Sequence, residues 1–422
     1  MSTATLDPQE GLFETQVTLE DVNKVIGEQL ATDAQLKPTS KFTVVGDGNG
    51  FLSRVILVEP EWTETKSEKD PQLPEKFILK ITSTLHIKGM VAKGKKDGTH
   101  QITKKKEEEM WTHFEETIQK MHNQEVNFYR FARNLDSSVM LTPKYYFGKM
   151  TDENNKNKGF IGLEYVENCV VRHVFVNLQP KELYPVLKAI AHLQATVFSM
   201  TDEERESLSD QKHLEALGGM LSEDGIKGVF EQTRRIGEEV SKKVDTVAAL
   251  GKDLVDLGFV KNLNKTLGIE RDVLVHGDLW STNILWKQSG ECYDADKIVD
   301  YQLLHFGNPA EDLVRFFIST LSGADRRDNW ENLLEVFYSY FVEALCGQTP
   351  PYTLKQLKES YRLYFVVGAL ALLPMFGPVV EVKLKSFDEG DKVKYQEIMQ
   401  EKAGCLLEDV EKWHLYRINK KL

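Results

Sequence analysis

The sequence predicts an α+β chain of two lobes, with a small antiparallel β lobe over residues 1–164 and a large helical lobe over residues 165–422. Three observations lead there. A chain of 422 residues is too long for one simple core and favours two. Short β-type runs separated by turn residues cluster in its first part, whereas beyond Pro180 apolar residues recur mostly at helical spacing. The exception is the stretch Asp272 to Tyr301, where three short apolar runs end on polar side chains.

In chain order, Leu19, Val22, Val25, Ile26 and Leu30 recur at helical spacing behind Thr18, a natural N-cap, so a helix is expected over Thr18 to Leu30. The period then changes. Strands are expected at Lys41–Val45, Phe51–Val58 and Phe77–Ile81. Between the first two lies Gly46-Asp-Gly-Asn-Gly50. Gly46, Gly48 and Gly50 would let backbone N–H groups approach phosphates closely, and the same turn also reads as a plain hairpin. Lys80 sits inside the third apolar run, where an ammonium is costly unless paired. It is expected to contact nucleotide phosphates and to pair with a glutamate on a neighbouring helix. The alternative is an edge-strand lysine that blocks aggregation.

A Gly- and Lys-rich insertion between Leu85 and Lys106 leads into a helix carrying Met110, Phe114, Ile118 and Met121. His122-Asn-Gln-Glu-Val-Asn-Phe-Tyr129 follows, and Glu125, expected near the start of a helical segment, is the candidate partner of Lys80, with Glu107 to Glu109, Glu115 and Glu116 competing from charged, surface-like surroundings. Pro143–Phe147 and Gly159–Val166 read as the last two strands of the small lobe, joined by a hairpin over Asp152 to Lys158. Glu164 to Val166 would then be the connection between lobes, whose backbone groups are placed to bond a nucleotide base. Pro180 opens a helix with Leu183, Leu187, Ile190, Ala191, Gln194 and Val197 on one face. His192 lies off that face.

The polar loop follows Val273–Val275: His276-Gly-Asp278, then Asn283, Ile284–Trp286, and finally Ile298-Val-Asp300. Asp278 and Asn283 are separated by four residues, the spacing of the kinase catalytic loop. In that pattern Asp278 accepts the proton of a substrate hydroxyl, Asn283 and Asp300 hold Mg²⁺ against the phosphates of ATP, and His276 braces the loop backbone. Any one pair of these residues reads better as ordinary turn residues and caps; the complete set of His-Gly-Asp, the spaced Asn and the strand-borne Asp favours the catalytic reading.

His276-Gly-Asp-Leu-Trp-Ser-Thr-Asn-Ile-Leu-Trp286, Ile298-Val-Asp-Tyr-Gln302 and Gly307-Asn-Pro-Ala-Glu-Asp-Leu-Val-Arg315 together resemble the choline-kinase-like, ecdysteroid-kinase-like family of invertebrates. That family is similar to aminoglycoside phosphotransferases and choline kinases, variants of the protein-kinase-like fold. The resemblance runs from about Val44 to beyond Leu373 and includes the Glu125 segment. It implies a bilobal kinase-like fold, ATP and Mg²⁺ as cofactors, and a structural role for Asp312 in tying the segment after Asp300 to the catalytic loop. The alternative it leaves open is a silent relative that binds a nucleotide or small apolar ligand without transfer.

Asp300 is followed by Tyr301-Gln302 instead of Phe-Gly, and Gly307 to Asp312 arrive within a dozen residues. No room remains for a phosphorylatable activation loop, which points to a small-molecule acceptor. Helices are expected over Leu313–Leu321, Trp330–Leu345, Leu354–Leu373 and Lys392–Trp413. Their aromatics, including Phe316, Phe317, Tyr338, Tyr340, Tyr361 and Phe365, would suit a sterol-like or other apolar alcohol.

A net charge of −12 argues against nucleic acid as a partner. The four cysteines, Cys169, Cys292, Cys346 and Cys405, are widely spaced, which argues against zinc and against a disulfide framework. The N-terminal residues lack a basic-then-apolar leader, and the apolar stretch Leu363 to Val380 is interrupted by Gly368, Pro374, Gly377 and Pro378. No membrane association and a cytoplasmic location are expected.

Overall fold

The computed structural model describes residues 11–45, 53–64, 73–83, 104–209, 218–219, 221–290, 292–377 and 387–420. They belong to two compact units, Met1–Ser137 with Thr142–Glu167, and Ser138–Leu141 with Asn168–Leu422. The α+β class read from the sequence is the one observed.

The first unit is built on a five-stranded antiparallel sheet of β1 (Lys41–Val45), β2 (Ser53–Glu59), β3 (Phe77–Thr82), β4 (Tyr145–Lys149) and β5 (Phe160–Glu164), in the order β1-β2-β3-β5-β4. Helix α1 (Leu19–Leu30) starts at a capping box in which Thr18 and Asp21 satisfy each other's backbone N–H groups. Its Leu19, Val22, Val25 and Ile26 meet Ile56, Val58, Phe77, Leu79, Ile81, Phe147 and Phe160 in one apolar cluster. Gln29 bonds both backbone groups of Gly148, at 2.8 and 3.0 Å, and so covers part of the edge strand β4. Strand β3 alternates strictly: Phe77, Leu79 and Ile81 are buried in the core, while Ile78, Lys80 and Thr82 take the opposite face.

Helix α2 (Lys104–Ala132) is one continuous helix of 29 residues. The expected start of a new segment near Glu125 is therefore corrected: Glu125 lies about two turns before the C-terminus of α2. No glycine or proline interrupts residues 104–132, so the polar His122-Asn-Gln turn has no means of breaking the helix.

The second unit contains a three-stranded antiparallel sheet of β6 (Cys169–Val171), β8 (Ile284–Ser289) and β9 (Cys292–Ile298), and a two-stranded pair of β7 (Val273–Val275) and β10 (His305–Gly307). Its longer helices are α3 (Tyr184–Ala195), α4 (Glu223–Arg234), α5 (Glu238–Ala248), α6 (Glu311–Thr320), α7 (Gly323–Ala344), α8 (Leu354–Leu372) and α9 (Glu389–Asn419). Helix α7 begins two turns before the expected Trp330 because Ser322 caps it, accepting the N–H of Asp325 at 3.0 Å. Helix α9 extends beyond the expected Lys392–Trp413 at both ends, and Asp388 supplies its N-cap.

Helix α6 is the centre of this unit. Leu313, Val314, Phe316, Phe317 and Ile318 are all buried, as expected of a helix surrounded by protein. It packs on α8, where a Cβ on Gly368 would lie 2.7 Å from Val314 Cγ1, so the two helices approach at a glycine. Among the described residues, no helix is long and apolar enough to cross a membrane.

Candidate active site

In the first unit, the alternation of β3 directs Lys80 away from the apolar core. Its Nζ lies 2.7 and 2.9 Å from the two carboxylate oxygens of Glu125 on α2. The two side chains are only 13% and 2% exposed, so their pairing offsets part of the cost of burying two charges. One turn earlier on α2, His122 is buried and bonded to Thr82 Oγ1 and to the Lys149 carbonyl, each at 2.8 Å. The carbonyl can only accept, so Nε2 carries the proton and Nδ1 accepts from the hydroxyl. Burial holds the His122 pKa down to about 4, and the ring remains a neutral brace between α2, the end of β3 and β4.

Glu164 closes β5. Its carboxylate accepts the N–H of Lys144 at 2.9 Å, and its own N–H donates to the Lys144 carbonyl at 2.8 Å. Val166 is buried two residues beyond the strand. The turn of Gly46, Gly48 and Gly50 lies outside the described residues, as does most of the Gly- and Lys-rich insertion.

In the second unit, β7 runs into the loop at His276. Gly277 has φ +82°, and a Cβ there would stand 2.2 Å from the Leu303 carbonyl oxygen, so only glycine fits. The Asp312 carboxylate accepts the backbone N–H groups of His276 at 2.8 Å and Gly277 at 3.0 Å. Burial, outweighing these two bonds, raises the Asp312 pKa to about 6. The His276 ring accepts the Asp278 N–H through Nδ1 at 3.2 Å, which leaves Nε2–H to donate to the Val299 carbonyl at 3.1 Å. One imidazole thus ties the loop to the strand end that carries Asp300.

Asp278 is held at both oxygens. Oδ1 lies 2.8 Å from an Arg315 guanidinium nitrogen, and Oδ2 accepts Asn283 Nδ2 at 3.1 Å. The same Asn283 nitrogen reaches the Asp278 carbonyl at 2.9 Å, leaving Oδ1 as that amide's acceptor atom. Burial raises the Asp278 pKa to about 6; Arg315 lowers it and the nearby Asp300 charge raises it. Asp300 adopts the left-handed conformation at φ +71°, and Gln302 Nε2 donates to its carboxylate at 3.3 Å. Left-handed backbone at a non-glycine residue costs about 1–2 kcal/mol and is concentrated at functional sites.

The loop therefore gathers His276, Asp278, Asn283, Asp300 and Asp312, with Arg315 added. Asn283 and Asp300 offer hard oxygen donors. Among the described residues, no group of three or more His, Cys, Asp or Glu side chains is placed to hold a metal ion. A small set of this kind fits Mg²⁺, which is typically bound through one or two carboxylates together with substrate phosphates.

One expectation changes. Phe316, Phe317, Tyr361 and Phe365 do not line an acceptor pocket: they are buried, with consecutive ring centroids 5.8–6.2 Å apart, as packing between helices. Their helical spacing places them on the faces that adjoining helices cover. Tyr338 and Tyr340 are half-buried, and the Tyr338 hydroxyl donates to the Tyr352 carbonyl at 3.0 Å. Arg315 had no expected role, although its position three residues after Asp312 puts it on the same side of a helix.

Residues 5–418 match the model of the DUF1679 family, which carries the description "Uncharacterized oxidoreductase dhs-27". The chain belongs to this family. It is 25% identical over 369 residues to the Caenorhabditis elegans protein of that name, a match covering 85% of this chain and 41% of the relative. The chain thus spans well under half of that protein, and the name describes the longer molecule. A second C. elegans relative, "Uncharacterized kinase-like protein D1044.1", is 27% identical over 301 residues, covering 69% of this chain and 76% of the relative. Solved structures similar to the chain include choline kinase from Cryptosporidium parvum Iowa II, with TM-score 0.43, 12% identity and coverage of 90% of this chain and 91% of the other. The GDP complex of aminoglycoside 2'-phosphotransferase-IIIa has TM-score 0.41, 10% identity and coverage of 91% and 98%. The kinase-like family resemblance read from the sequence is borne out by the family match and the kinase-like relative.

Proposed function

We propose that this chain is a small-molecule kinase that transfers the γ-phosphate of ATP to a hydroxyl group. The observation that carries the reading is the convergence of Asp278, Asn283 and Asp300: Asn283 bonds the Asp278 carboxylate, burial and the nearby Asp300 charge raise its pKa to about 6, and Asp312 clamps the loop backbone. Asp278 accepts the proton of the acceptor hydroxyl as its oxygen attacks phosphorus in line. His276 and Asp312 keep the loop backbone in place for that step. Asn283 and Asp300 would hold Mg²⁺, which when bound neutralises the charge of the phosphoryl group in transfer. In the first unit, Lys80, oriented by Glu125, offers its ammonium to the α- and β-phosphates. Glu164 and Val166 belong to the segment proposed to meet the base. The acceptor is a small alcohol, because the chain after Asp300 is too short for a peptide-binding activation segment.

A second reading, nucleotide or ligand binding without transfer, has one observation in its favour: both Asp278 oxygens are already engaged. Asp278→Asn separates the two. Incubation of the full chain with labelled ATP, Mg²⁺ and a metabolite extract should give a labelled product. The substitution should reduce its formation by about 10²–10⁴-fold, the usual contribution of a general base. Equal labelling by both proteins would remove Asp278 from its assigned role. Mg²⁺-dependent ATP binding without any labelled product would favour the silent reading.

A further inference from the structure

Helix α6 meets the catalytic loop from its first turn onward. Asp312 takes the backbone of His276 and Gly277, and Arg315, about one turn later, takes the side chain of Asp278. Arg315 and Asp278 are 17% and 16% exposed, so the pair is largely shielded from solvent. Arg315 Nε is buried and has no hydrogen-bond partner among the described residues. Beside this residue is a cavity of about 20 Å³ lined by Gly277, Glu311, Asp312, Arg315, Tyr364 and Gly368, with room for one water molecule.

A guanidinium is planar and permanently charged, and it fixes a carboxylate directionally as an ammonium does not. Asn283 alone would leave the Asp278 carboxylate free to rotate about its one bonded oxygen. With Oδ1 on Arg315 and Oδ2 on Asn283, the rotation is fixed. We infer that Arg315 is the positioning residue for the transfer step, setting the orientation from which Asp278 receives the acceptor proton. This role rests on the kinase reading above. Arg315 acts through Asp278, so its removal should lower kcat and leave the KM for ATP nearly unchanged.

The test uses the full chain with water as the phosphoryl acceptor, measuring labelled phosphate released from Mg²⁺–ATP. Arg315→Ala should lower kcat by about 100-fold, the scale of a misplacement by about 1 Å, while ATP affinity by calorimetry stays within about threefold. Guanidinium ion at millimolar concentration should restore part of the lost rate in Arg315→Ala and none in Asp278→Asn. Arg315→Lys should fall between wild type and alanine. A wild-type kcat in Arg315→Ala overturns the inference, as does a loss that neither guanidinium nor lysine relieves. If instead Asp278→Asn hydrolyses ATP like wild type, or wild type neither binds nor hydrolyses it, the kinase reading fails and takes the inference with it.

Discussion

Lys402 offers a quantitative test of how the helical unit supports the loop. It lies on α9 with no exposed surface, and its ammonium donates to the carbonyls of Val174 at 2.8 Å and Ser319 at 2.9 Å. The charged groups that act on it are Arg326 on α7, which disfavours the ammonium, and Glu401 on its own helix, which favours it. Burial is the largest influence and brings the pKa from the ordinary 10.5 of a lysine to about 7. Since the folded pKa is depressed, the unfolded chain binds the proton more tightly. Stability therefore rises with pH between about 7 and 10.5 and is insensitive to this group below 7. The fall from 10.5 to about 7 corresponds to about 5 kcal/mol, of which about 3–4 kcal/mol is recovered between pH 7 and 10.

Lys402→Met keeps the length of the stem and removes the charge, at the cost of two carbonyls left without their donor. Each such loss is worth about 1–3 kcal/mol at any pH. Urea unfolding of both proteins at pH 7 and pH 10 can be followed by the fluorescence of Trp330 and Trp413, which pack edge to face in the same helical core at 5.9 Å. Wild type should gain about 3 kcal/mol more than the variant on going from pH 7 to 10. Parallel pH dependences would refute the reasoning, because they would mean that two carbonyls suffice to keep the ammonium charged. The result bears on the site because Ser319 also accepts the Ser281 N–H through its hydroxyl, at 3.1 Å.

Two further substitutions probe the units separately. Lys80→Met removes the ammonium that lies 2.7 Å from the buried Glu125 carboxylate and should cost about 3–5 kcal/mol in chemical denaturation. Changing Glu125 to Leu in the same protein should recover most of that stability but not Mg²⁺–ATP affinity by calorimetry, whereas recovery of both would deny Lys80 its role at the phosphates. Gly277→Ala forces a side chain into left-handed backbone and against the Leu303 carbonyl, so at least about 2 kcal/mol of stability should be lost in urea melts. An unchanged midpoint would mean that the loop can shift away from β10 without penalty.

Local rules made part of this fold legible. Thr18 and Asp21 form the capping box that starts α1, and the strict alternation of Phe77 to Thr82 reports which face of β3 carries Lys80. The interval between Asp278 and Asn283 could be read for the same reason: both residues belong to one short turn whose geometry is set by a few dihedrals. What escaped depends on packing between distant segments. The three-residue strand His305–Gly307 pairs with β7 although it contains a histidine and a glycine, poor advertisements for a strand. Ser138–Leu141 joins the second unit while the chain on both sides belongs to the first. The Leu141 carbonyl accepts the N–H of Ile298, a contact invisible to any local pattern. The aromatics of α6 and α8 show the same limit, since helical spacing reports that a face is covered but not by what.

The spacing of the polar residues on α6 explains why so glycine-poor and irregular a loop holds one shape. Around the apolar run Leu313 to Ile318, which Arg315 alone interrupts, the helix carries Asp312, Arg315 and Ser319 at i, i+3 and i+7, on one side of the helix. Each meets a successive part of the loop: Asp312 the N–H groups of His276 and Gly277, Arg315 the carboxylate of Asp278, and Ser319 the N–H of Ser281. The loop thus borrows the helix's regular rise as a ruler. Elsewhere α6 is embedded in apolar side chains and meets α8 at Gly368, so it cannot turn about its axis without repacking the unit. A polar stripe on a helix buried all round would be costly if it faced only core. Here its groups are matched by the loop's own donors and carboxylate, and that matching converts the rigidity of a buried helix into a fixed orientation for Asp278.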